Sequence, residues 1–288
     1  MKQLKKLRLN HLKEKTAVTL SEIIKELEAG GVESPRFDAS VLIEHFEGKS
    51  RAVQLAFPEK DYTSDSLATA VNRRKNREPL QYIIGEWEFM GHTFKVSPNC
   101  LIPRADTELL CSLAIDRLKD TPDARFADLC TGSGCIAISV LCECESASGV
   151  AVELYPETLQ ICAENAVRNH VADRLHTVLG DVCSNCLEGE FDVIVSNPPY
   201  VTIEEMKDIT PEVAMEPPHA LTDGGDGLSI IRKILEIYPS KIKKGGILAI
   251  EFGWKQGKAI LDIATSLGLD AHILKDTENR DRVLVVNI

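Results

Sequence analysis

The four residues Asn197, Pro198, Pro199 and Tyr200 end an apolar segment and could bind a planar amino group. Two consecutive prolines fix the backbone φ and supply no N–H donors, and the residue before a proline is held in extended geometry. The carbonyl groups of Asn197 and Pro198 therefore join no helix or strand and stay available as acceptors. The Asn197 side chain adds an acceptor and Tyr200 adds a planar ring, so the pattern predicts a rigid corner that grips an NH2 group.

A second chemical pattern, Asp-Leu-Cys-Thr-Gly-Ser-Gly at residues 128–134, lies between a predicted strand and a predicted helix. Glycines let the backbone approach a ligand closely, and the helix N-terminus supplies free N–H groups. Glu153 ends the next strand, where a carboxylate accepts both hydroxyls of a ribose. Asp181 ends the strand after that and can accept the amino group of an adenine. Ala137 occupies the third glycine position of the dinucleotide fingerprint, which favours a nucleoside-type cofactor over NAD.

Alternating strands and helices from Ala124 onward must position these groups. Apolar, β-branched segments predict seven strands, of which the last two form a hairpin. Such a hairpin implies one antiparallel strand in a mostly parallel sheet, and the fold class is α/β. Ligands of such sheets bind beyond the carboxyl ends of the strands. The predicted strands are 126–129, 149–152, 175–179, 191–195, 247–252, 271–274 and 282–286.

The N-terminal part predicts a small helical domain over residues 1–80 and a β-hairpin linker over 81–103, followed by the sheet domain over 104–288. Thr19 and Glu22 form a capping-box pattern, and Pro35 begins a second helix. A third helix, residues 66–77, carries four basic residues, for which a solvated face is favoured over a docking surface for an acidic partner.

The segment 101–108 leads into a helix that runs to about Lys119. Thr107 and Glu108 open that helix. They are interpreted either as solvated first-turn residues or as part of a lid beside the cofactor.

Composition narrows the class of protein. The chain has 288 residues, 44% hydrophobic and 27% charged, which is typical of a globular protein. It lacks an apolar run long enough to cross a membrane, and residues 1–15 lack the apolar core of a secretory signal.

The nine cysteines are scattered, which indicates reduced thiols in a cytoplasmic protein rather than disulfides. Cys183 and Cys186 have metal-ligand spacing but no matching second pair, so no metal site is predicted.

Charge is unevenly distributed along the chain. Residues 1–80 contain 15 Lys and Arg against 12 Asp and Glu, whereas the whole chain contains 33 against 44. The sheet domain is therefore strongly acidic. A duplex-DNA enzyme normally carries a basic footprint, so the balance disfavours direct binding of duplex nucleic acid.

The motifs at 128–134, Glu153, Asp181 and 197–200 together resemble the class I S-adenosylmethionine-dependent methyltransferases. Asn-Pro-Pro-Tyr is typical of the branch that methylates adenine N6 or glutamine N5. Further segments, in this order, are similar to the HemK/PrmC family. They are 79–85, 101–108, Glu216-Pro217 with Ala220-Leu221, 224–228 and Asp281-Arg282-Val283.

This resemblance implies a Rossmann-like, seven-stranded class I fold and S-adenosyl-L-methionine as cofactor. The implied reaction is methylation of N5 of the glutamine in the Gly-Gly-Gln motif of peptide-chain release factors, in the cytoplasm. Catalysis is assigned to Asn197, Pro198 and Tyr200, and substrate binding to these residues with Pro199. The expected cofactor contacts are Asp128, Cys130, Thr131, Gly132, Ser133, Gly134, Glu153, Asp181, Val182 and Asn197.

Four residues depart from the family pattern. Cys130 replaces a usual glycine, Ala105 a usual proline and Glu153 a commoner aspartate, and Val182 stands where an aromatic residue is frequent. Three other functions stay open on sequence alone. They are methylation of a ribosomal-protein glutamine, methylation of adenine N6 in nucleic acid, and a non-enzymatic cofactor-binding or adaptor role.

Overall fold

The computed structural model describes residues 17–288, which divide into two compact units at Ile84 and Gly85. The prediction about residues 1–15 lies outside this range. The N-terminal unit is helical, as predicted. Its helices are α1 (Leu20–Ala29), α2 (Pro35–Glu47), α3 (Arg51–Ala56), α4 (Asp65–Lys75) and α5 (Leu80–Ile84).

The start of α1 is fixed by the predicted capping box. The Thr19 amide donates to Oε2 of Glu22 at 2.8 Å, and the Glu22 amide donates to Oγ1 of Thr19 at 3.3 Å. Pro35 occupies the first turn of α2, also as predicted.

Residues 82–84 belong to helix α5, so the prediction that they begin the β-hairpin is wrong. The amides of Tyr82 and Ile83 both donate to the carbonyl of Pro79, which closes a helical turn. Five consecutive residues carry too little periodicity to separate a short helix from a strand.

The basic residues of α4 contact acids within the same unit. Arg74 is 6% exposed and its Nε donates to Oδ2 of Asp38 at 2.6 Å. Arg73 pairs with Glu78 through Nε at 2.8 Å. The prediction of a solvated face is therefore wrong for Arg74, which takes part in the buried packing of the helices.

The C-terminal unit begins with an antiparallel hairpin of β1 (Glu86–Phe89) and β2 (His92–Lys95). Seven strands then form one sheet in the order β5-β4-β3-β6-β7-β9-β8. Strand β9 is antiparallel to both of its neighbours, and the remaining strands are parallel to one another, which confirms the predicted class. The strands are β3 (Arg125–Leu129), β4 (Ser148–Glu153), β5 (Leu175–Leu179), β6 (Phe191–Ser196), β7 (Ile242–Glu251), β8 (Asp270–Lys275) and β9 (Asp281–Asn287).

Helices cover both faces of this sheet because successive strand residues point to opposite sides. Val193 and Val195 of β6 pack in the cluster that contains α6 (Glu108–Leu118), α7 (Cys135–Glu143) and α8 (Pro156–Arg168). Ile194, between them, packs in the opposite cluster with α9 (Ser229–Ile237) and α10 (Gly257–Ser266). The sheet is thereby the middle of three layers, which leaves its strand ends to form a site.

Strand β7 starts earlier than its apolar residues predict. Lys244, Gly245 and Gly246, predicted as a turn before the strand, lie within β7, where its pairing with β6 is irregular. No helix in the described part of the chain is both long and apolar enough to cross a membrane.

Candidate active site

A cavity of about 290 Å³ lies beyond the carboxyl ends of β3, β4 and β6. It collects residues from segments that are far apart in sequence, as expected for ligand sites of open α/β sheets. Nine of the predicted site residues line it, namely Cys130, Thr131, Gly132, Ser133, Glu153, Asp181, Val182, Asn197 and Pro199.

The loop after β3 turns through left-handed backbone conformations at Cys130, Gly132 and Gly134, with φ of 60°, 58° and 81°. Cys130 adopts this conformation although it carries a Cβ. A Cβ at Gly134 would lie 2.7 Å from Sγ of Cys162, whereas one at Gly132 would meet nothing within 4 Å. Gly134 therefore permits close packing of α7 on α8, and Gly132 leaves room on the cavity side.

Asp128, a predicted cofactor contact, does not line the cavity. It is fully buried, and its Oδ2 accepts the Thr131 hydroxyl at 2.7 Å and the Ala137 amide at 3.3 Å. Burial raises the pKa of Asp128 to about 7, against the hydrogen bonds from Thr131 and Ala137. The structure places Asp128 behind the loop, where it ties the loop to the start of α7.

Glu153 lies at the cavity with its carboxylate held by backbone amides. Its Oε2 accepts the Gly132 amide at 3.1 Å, and its Oε1 accepts those of Leu154 and Tyr155 at 2.9 and 3.2 Å. Each carboxylate oxygen has two lone pairs, so Oε1 is filled by its two amides and Oε2 keeps one acceptor position for a ligand. The glycine loop and the acid at the end of β4 are thus one connected structure.

Asp181 and Val182 follow β5 and line the cavity. In the sheet, β5 is three strands away from β6, which leads into the proline corner. Oδ1 of Asp181 accepts the Cys183 amide at 2.8 Å, which orients the carboxylate. Val182 is 6% exposed and offers an apolar surface of modest area. Together with Glu153, these residues offer carboxylate acceptors around an apolar wall.

The Asn197 side chain is oriented by Thr107. Its Nδ2 donates to Oγ1 of Thr107 at 3.1 Å, so the side-chain oxygen Oδ1 remains available as an acceptor. No donor to the Pro198 carbonyl occurs within residues 17–288. The predicted pair of acceptors is therefore unoccupied by intramolecular bonds.

Tyr200 does not line the cavity, and Pro198 is buried beside it. The Tyr200 hydroxyl donates to Oε1 of Glu251 at 3.1 Å, and its carbonyl accepts Nε2 of Gln256 at 3.0 Å. Burial is the main cause that raises the pKa of this phenol. Tyr200 anchors the corner from behind, and its predicted role as a wall for a planar amide stays a prediction.

Thr107 lines the cavity, and Glu251 is a buried acid that the sequence analysis did not assign. Thr107 is 2% exposed, so its interpretation as a solvated first-turn residue is wrong, whereas Glu108 is exposed. Glu251 ends β7 and is 1% exposed. Burial raises its pKa to about 7, against the hydrogen bond from Tyr200. Glu251 could have been found from the sequence by the same pattern as Glu153, since each is an acid at the end of an apolar strand.

Two loops meet over the cavity. Oε2 of Glu216 accepts the Ile102 amide at 3.0 Å, and its other oxygen forms an ion pair with Arg104. The rings of His219 and Tyr155 lie 3.7 Å apart between centroids. Burial lowers the pKa of His219, so the neutral imidazole is favoured at this contact. These contacts join residues from distant parts of the sequence and enclose the cavity.

Comparison with known proteins adds two family matches. Residues 19–85 match the PrmC N-terminal domain and residues 107–245 match the methyltransferase small domain. The release factor glutamine methyltransferase of Moorella thermoacetica is 35% identical over 268 residues, covering 91% of this chain and 95% of that protein. The enzyme of that name from Escherichia coli K12 is 35% identical over 269 residues, covering 92% and 95%.

A solved structure, the hMettl16 catalytic domain in complex with the MAT2A 3′UTR hairpin 6, is similar in fold. The TM-score is 0.56 at 16% sequence identity, over 79% of this chain and 84% of that one. This likeness bears on the fold alone.

The sheet order, the single antiparallel strand and the cavity at the strand ends define a class I methyltransferase fold. Within that class, identity above 30% along nearly the whole length decides the assignment. The chain belongs to the release factor glutamine methyltransferase family.

Proposed function

We propose that this protein transfers a methyl group from S-adenosyl-L-methionine to N5 of the glutamine in the Gly-Gly-Gln motif of peptide-chain release factors. The observation that carries the proposal is the oriented amide of Asn197, whose Nδ2 is held by Thr107 at 3.1 Å beside the cavity. Relatives at 35% identity are named for this activity. Because release factors act on ribosomes, we place the activity in the cytoplasm.

The residues around the cavity fit S-adenosylmethionine. Oε2 of Glu153 offers its remaining lone pair to a ribose hydroxyl, and Asp181 offers an acceptor for the adenine amino group. Val182 supplies an apolar surface for the base, and the amides of the loop at Cys130–Ser133 border the remaining space. The cavity volume, about 290 Å³, is close to the lower end of the volumes found for small-molecule sites. When bound, the cofactor supplies an electrophilic methyl group on a sulfonium.

The corner residues then bind and orient the substrate nitrogen. An amide nitrogen is a weak nucleophile because its lone pair is delocalised into the carbonyl. Oδ1 of Asn197 and the carbonyl of Pro198 each accept one N–H of the glutamine NH2. This fixes the nitrogen for in-line transfer, and the same two acceptors stabilise the positive charge that develops on it. The cationic product is acidic and loses its proton readily, so no strong base is required.

The corner's chemistry would also suit adenine N6 or a ribosomal-protein glutamine. The excess of acids, 44 against 33 basic residues in the whole chain, disfavours a nucleic-acid substrate. The match over 19–85, a segment outside the methyltransferase domain, supports a protein substrate. An adaptor without enzymatic activity has no need for an intact amide-gripping corner.

Methyl transfer from labelled S-adenosylmethionine tests the proposal directly. The intact protein is offered a peptide-chain release factor, ribosomal proteins and duplex DNA in parallel. We expect label only on the release factor, and a release factor with Gly-Gly-Gln changed to Gly-Gly-Glu should accept none. Label on ribosomal protein or DNA, with none on the release factor, would contradict the proposed substrate.

A further inference from the structure

Two segments that share the family resemblance but have no part in the function proposed above, 101–108 and 281–283, meet at an ion pair. Nη2 of Arg282, near the start of β9, lies 3.0 Å from Oδ2 of Asp106. Asp106 is the middle residue of a three-residue 3₁₀ turn that leads directly into α6. The last residue of that turn is Thr107, which contacts Asn197.

Arg282 is a fixed point from which the turn can be held. It belongs to β9, which pairs with both β7 and β8, and its side chain is 7% exposed. Its Nη2 also donates to Oδ2 of Asp276 at 3.1 Å. Oδ1 of Asp276 accepts the amides of Glu278 and Arg280 at 3.0 and 2.9 Å, which fixes this carboxylate in the turn between β8 and β9. Arg282 therefore stays paired even when Asp106 is removed.

The 3₁₀ turn is too short to fix its own position. Such turns have poor hydrogen-bond geometry, and this one has no side-chain cap. Contacts with distant segments hold it from both sides of Thr107 instead. On one side Arg104 pairs with Glu216, and on the other Asp106 pairs with Arg282. In each pair one partner is buried, so solvent screens these contacts less than it screens a fully exposed ion pair.

The position of the turn decides whether Thr107 reaches Asn197. Oγ1 of Thr107 accepts from Nδ2 of Asn197 at 3.1 Å, and such bonds extend to only about 3.2 Å. A shift of the turn by about 1 Å away from the corner would break this bond. The amide of Asn197 would then be free to rotate and to present its NH2 group, which cannot accept a hydrogen bond from a substrate NH2 group.

We propose that Asp106 and Arg282 are positioning residues, whose ion pair holds the turn so that Thr107 keeps the acceptor oxygen of Asn197 toward the substrate amide. This inference rests on the proposed function, because it needs a substrate NH2 group at the corner. Neither Asp106 nor Arg282 is among the residues that line the cavity, so both act through Thr107 and not on the reacting atoms.

The first test is Asp106→Ala in the intact protein. Its side chain is 56% exposed, so the variant should fold. We expect the single-turnover rate of methyl transfer to fall about 10-fold or more, because the acceptor is no longer held in place. Cofactor Kd should change by less than about threefold, and Asp106→Glu, which keeps the carboxylate, should restore most of the rate. Asp116→Ala, which removes an exposed, ion-paired acid from α6, should keep the wild-type rate.

The second test asks whether the effect passes through Thr107. Thr107→Val keeps the shape and removes the hydroxyl, and should lower the rate about 100-fold by itself. In that background Asp106→Ala has no hydroxyl left to position. The double variant should therefore be as slow as Thr107→Val alone, within about twofold. A merely structural role of Asp106 would instead multiply the two losses.

The third test changes the other partner of the ion pair. Arg282→Lys keeps the positive charge beside Asp276 but lacks the planar fork that reaches two carboxylates. Its rate should fall as in Asp106→Ala, and combining the two changes should lower the rate no further. Arg280→Lys, at an exposed arginine two residues earlier, should keep the wild-type rate.

The state of Asn197 can also be followed without activity. The ¹⁵N–¹H resonances of its side-chain amide are assigned by their absence from Asn197→Ala. They should shift in the same direction in Asp106→Ala and Thr107→Val, because both changes release the same bond, and they should stay in place in Asp116→Ala.

A wild-type rate in Asp106→Ala would overturn the inference and leave the proposed function standing. A double variant slower than Thr107→Val by the full factor of Asp106→Ala would do the same. If the wild type labels no release factor, the proposed function fails instead. The resonances of Asn197 then still decide the inference, which is overturned if Asp106→Ala leaves them in place.

Discussion

Oε2 of Glu216 accepts the backbone N–H of Ile102 at 3.0 Å, although the two residues are 114 positions apart. The side chain of Glu216 is 1% exposed, and its other oxygen pairs with Arg104. One buried carboxylate thus joins the segment before α6 to the loop beyond the proline corner, and both segments line the cavity. This contact connects two segments that border the proposed cofactor site.

Glu216→Ala should weaken cofactor binding more than it alters the rate of the bound complex. Removing a carboxylate that satisfies a buried N–H and an arginine costs about 1.5–3 kcal/mol, so we expect the Kd for S-adenosylmethionine to rise roughly 10–100-fold. Calorimetry measures the change. Glu204→Ala, which alters an exposed acid in the same loop, should bind normally. Equal affinities in the two variants would show that the contact does not shape the site.

Asn197→Ala should abolish methyl transfer and leave cofactor Kd within several-fold of the wild type. Asn197 supplies the oriented acceptor, whereas the acids proposed to hold the cofactor lie on β4 and after β5. The loss expected from removing such a group is at least about 100-fold in kcat. Turnover like that of the wild type would exclude the mechanism of amide orientation.

Glu153→Ala should act on both binding and stability. The carboxylate holds the amides of Gly132, Leu154 and Tyr155, so its removal leaves these donors without their acceptor and frees the glycine loop. We expect a rise in cofactor Kd of about 100-fold or more, with a melting temperature lower by several degrees. Glu157→Ala, an exposed acid in the first turn of α8, serves as the control for loss of charge. Unchanged affinity would remove Glu153 from the proposed cofactor site.

Much of the fold follows from local patterns in the sequence. Continuous apolar runs in β6 and β7 locate the strands because both faces of the sheet are buried against helices. The antiparallel β9 follows from two adjacent strands joined by a short turn. The sequence did not predict helix α5, because a segment of only five residues has no distinguishing period.

The site was predictable only in part. The carboxyl ends of neighbouring parallel strands lie at the same edge of the sheet. The proximity of the glycine loop and the acids at these ends could therefore be predicted from the topology alone. The bond between Asn197 and Thr107 spans 90 positions and depends on how α6 packs, which no local spacing records. The motif also predicts Asp128 as a ligand contact, but in the structure its carboxylate turns back to Thr131 and Ala137, behind the loop.

Gly227→Ala should destabilise the protein much more than Gly224→Ala. Both glycines have left-handed backbones, with φ of 73° and 79°. A Cβ at Gly227 would lie 2.0 Å from the Tyr200 carbonyl oxygen, whereas one at Gly224 would meet nothing within 4 Å. The left-handed conformation costs a non-glycine residue about 1–2 kcal/mol, and the clash adds to this at Gly227 only.

Urea denaturation of the two variants measures this difference. We expect the free energy of unfolding to fall by about 1–2 kcal/mol in Gly224→Ala and by at least about 3 kcal/mol in Gly227→Ala. Because the clash acts on the carbonyl of the proline corner, Gly227→Ala should also lose methyl transfer at temperatures where it is still folded. Equal losses of stability would mean that the loop moves away from Tyr200 without cost.

The buried carboxyl of Asp128 should make stability depend on pH. Burial raises its pKa from 3.8 to about 7, so between these values the folded protein holds a proton that the unfolded chain releases. Stability falls with pH wherever the folded state binds more protons. The free energy of unfolding should therefore decline from about pH 4 to about pH 7 and level off above. Glu251, raised from 4.5 to about 7, contributes in the same direction.

Asp128→Asn removes one of these two titrations and keeps an acceptor for Thr131 and Ala137. Its free energy of unfolding, from urea titrations at pH 5 and pH 8, should decline less over that range than in the wild type. Over this range only the two units between pH 5 and the folded pKa of about 7 contribute, so the two declines should differ by about 3 kcal/mol at most. Asp120→Asn, at an exposed position, should keep the wild-type slope. Identical slopes in all three proteins would mean that Asp128 is ionised in the fold, and that its bonds to Thr131 and Ala137 offset the cost of its burial.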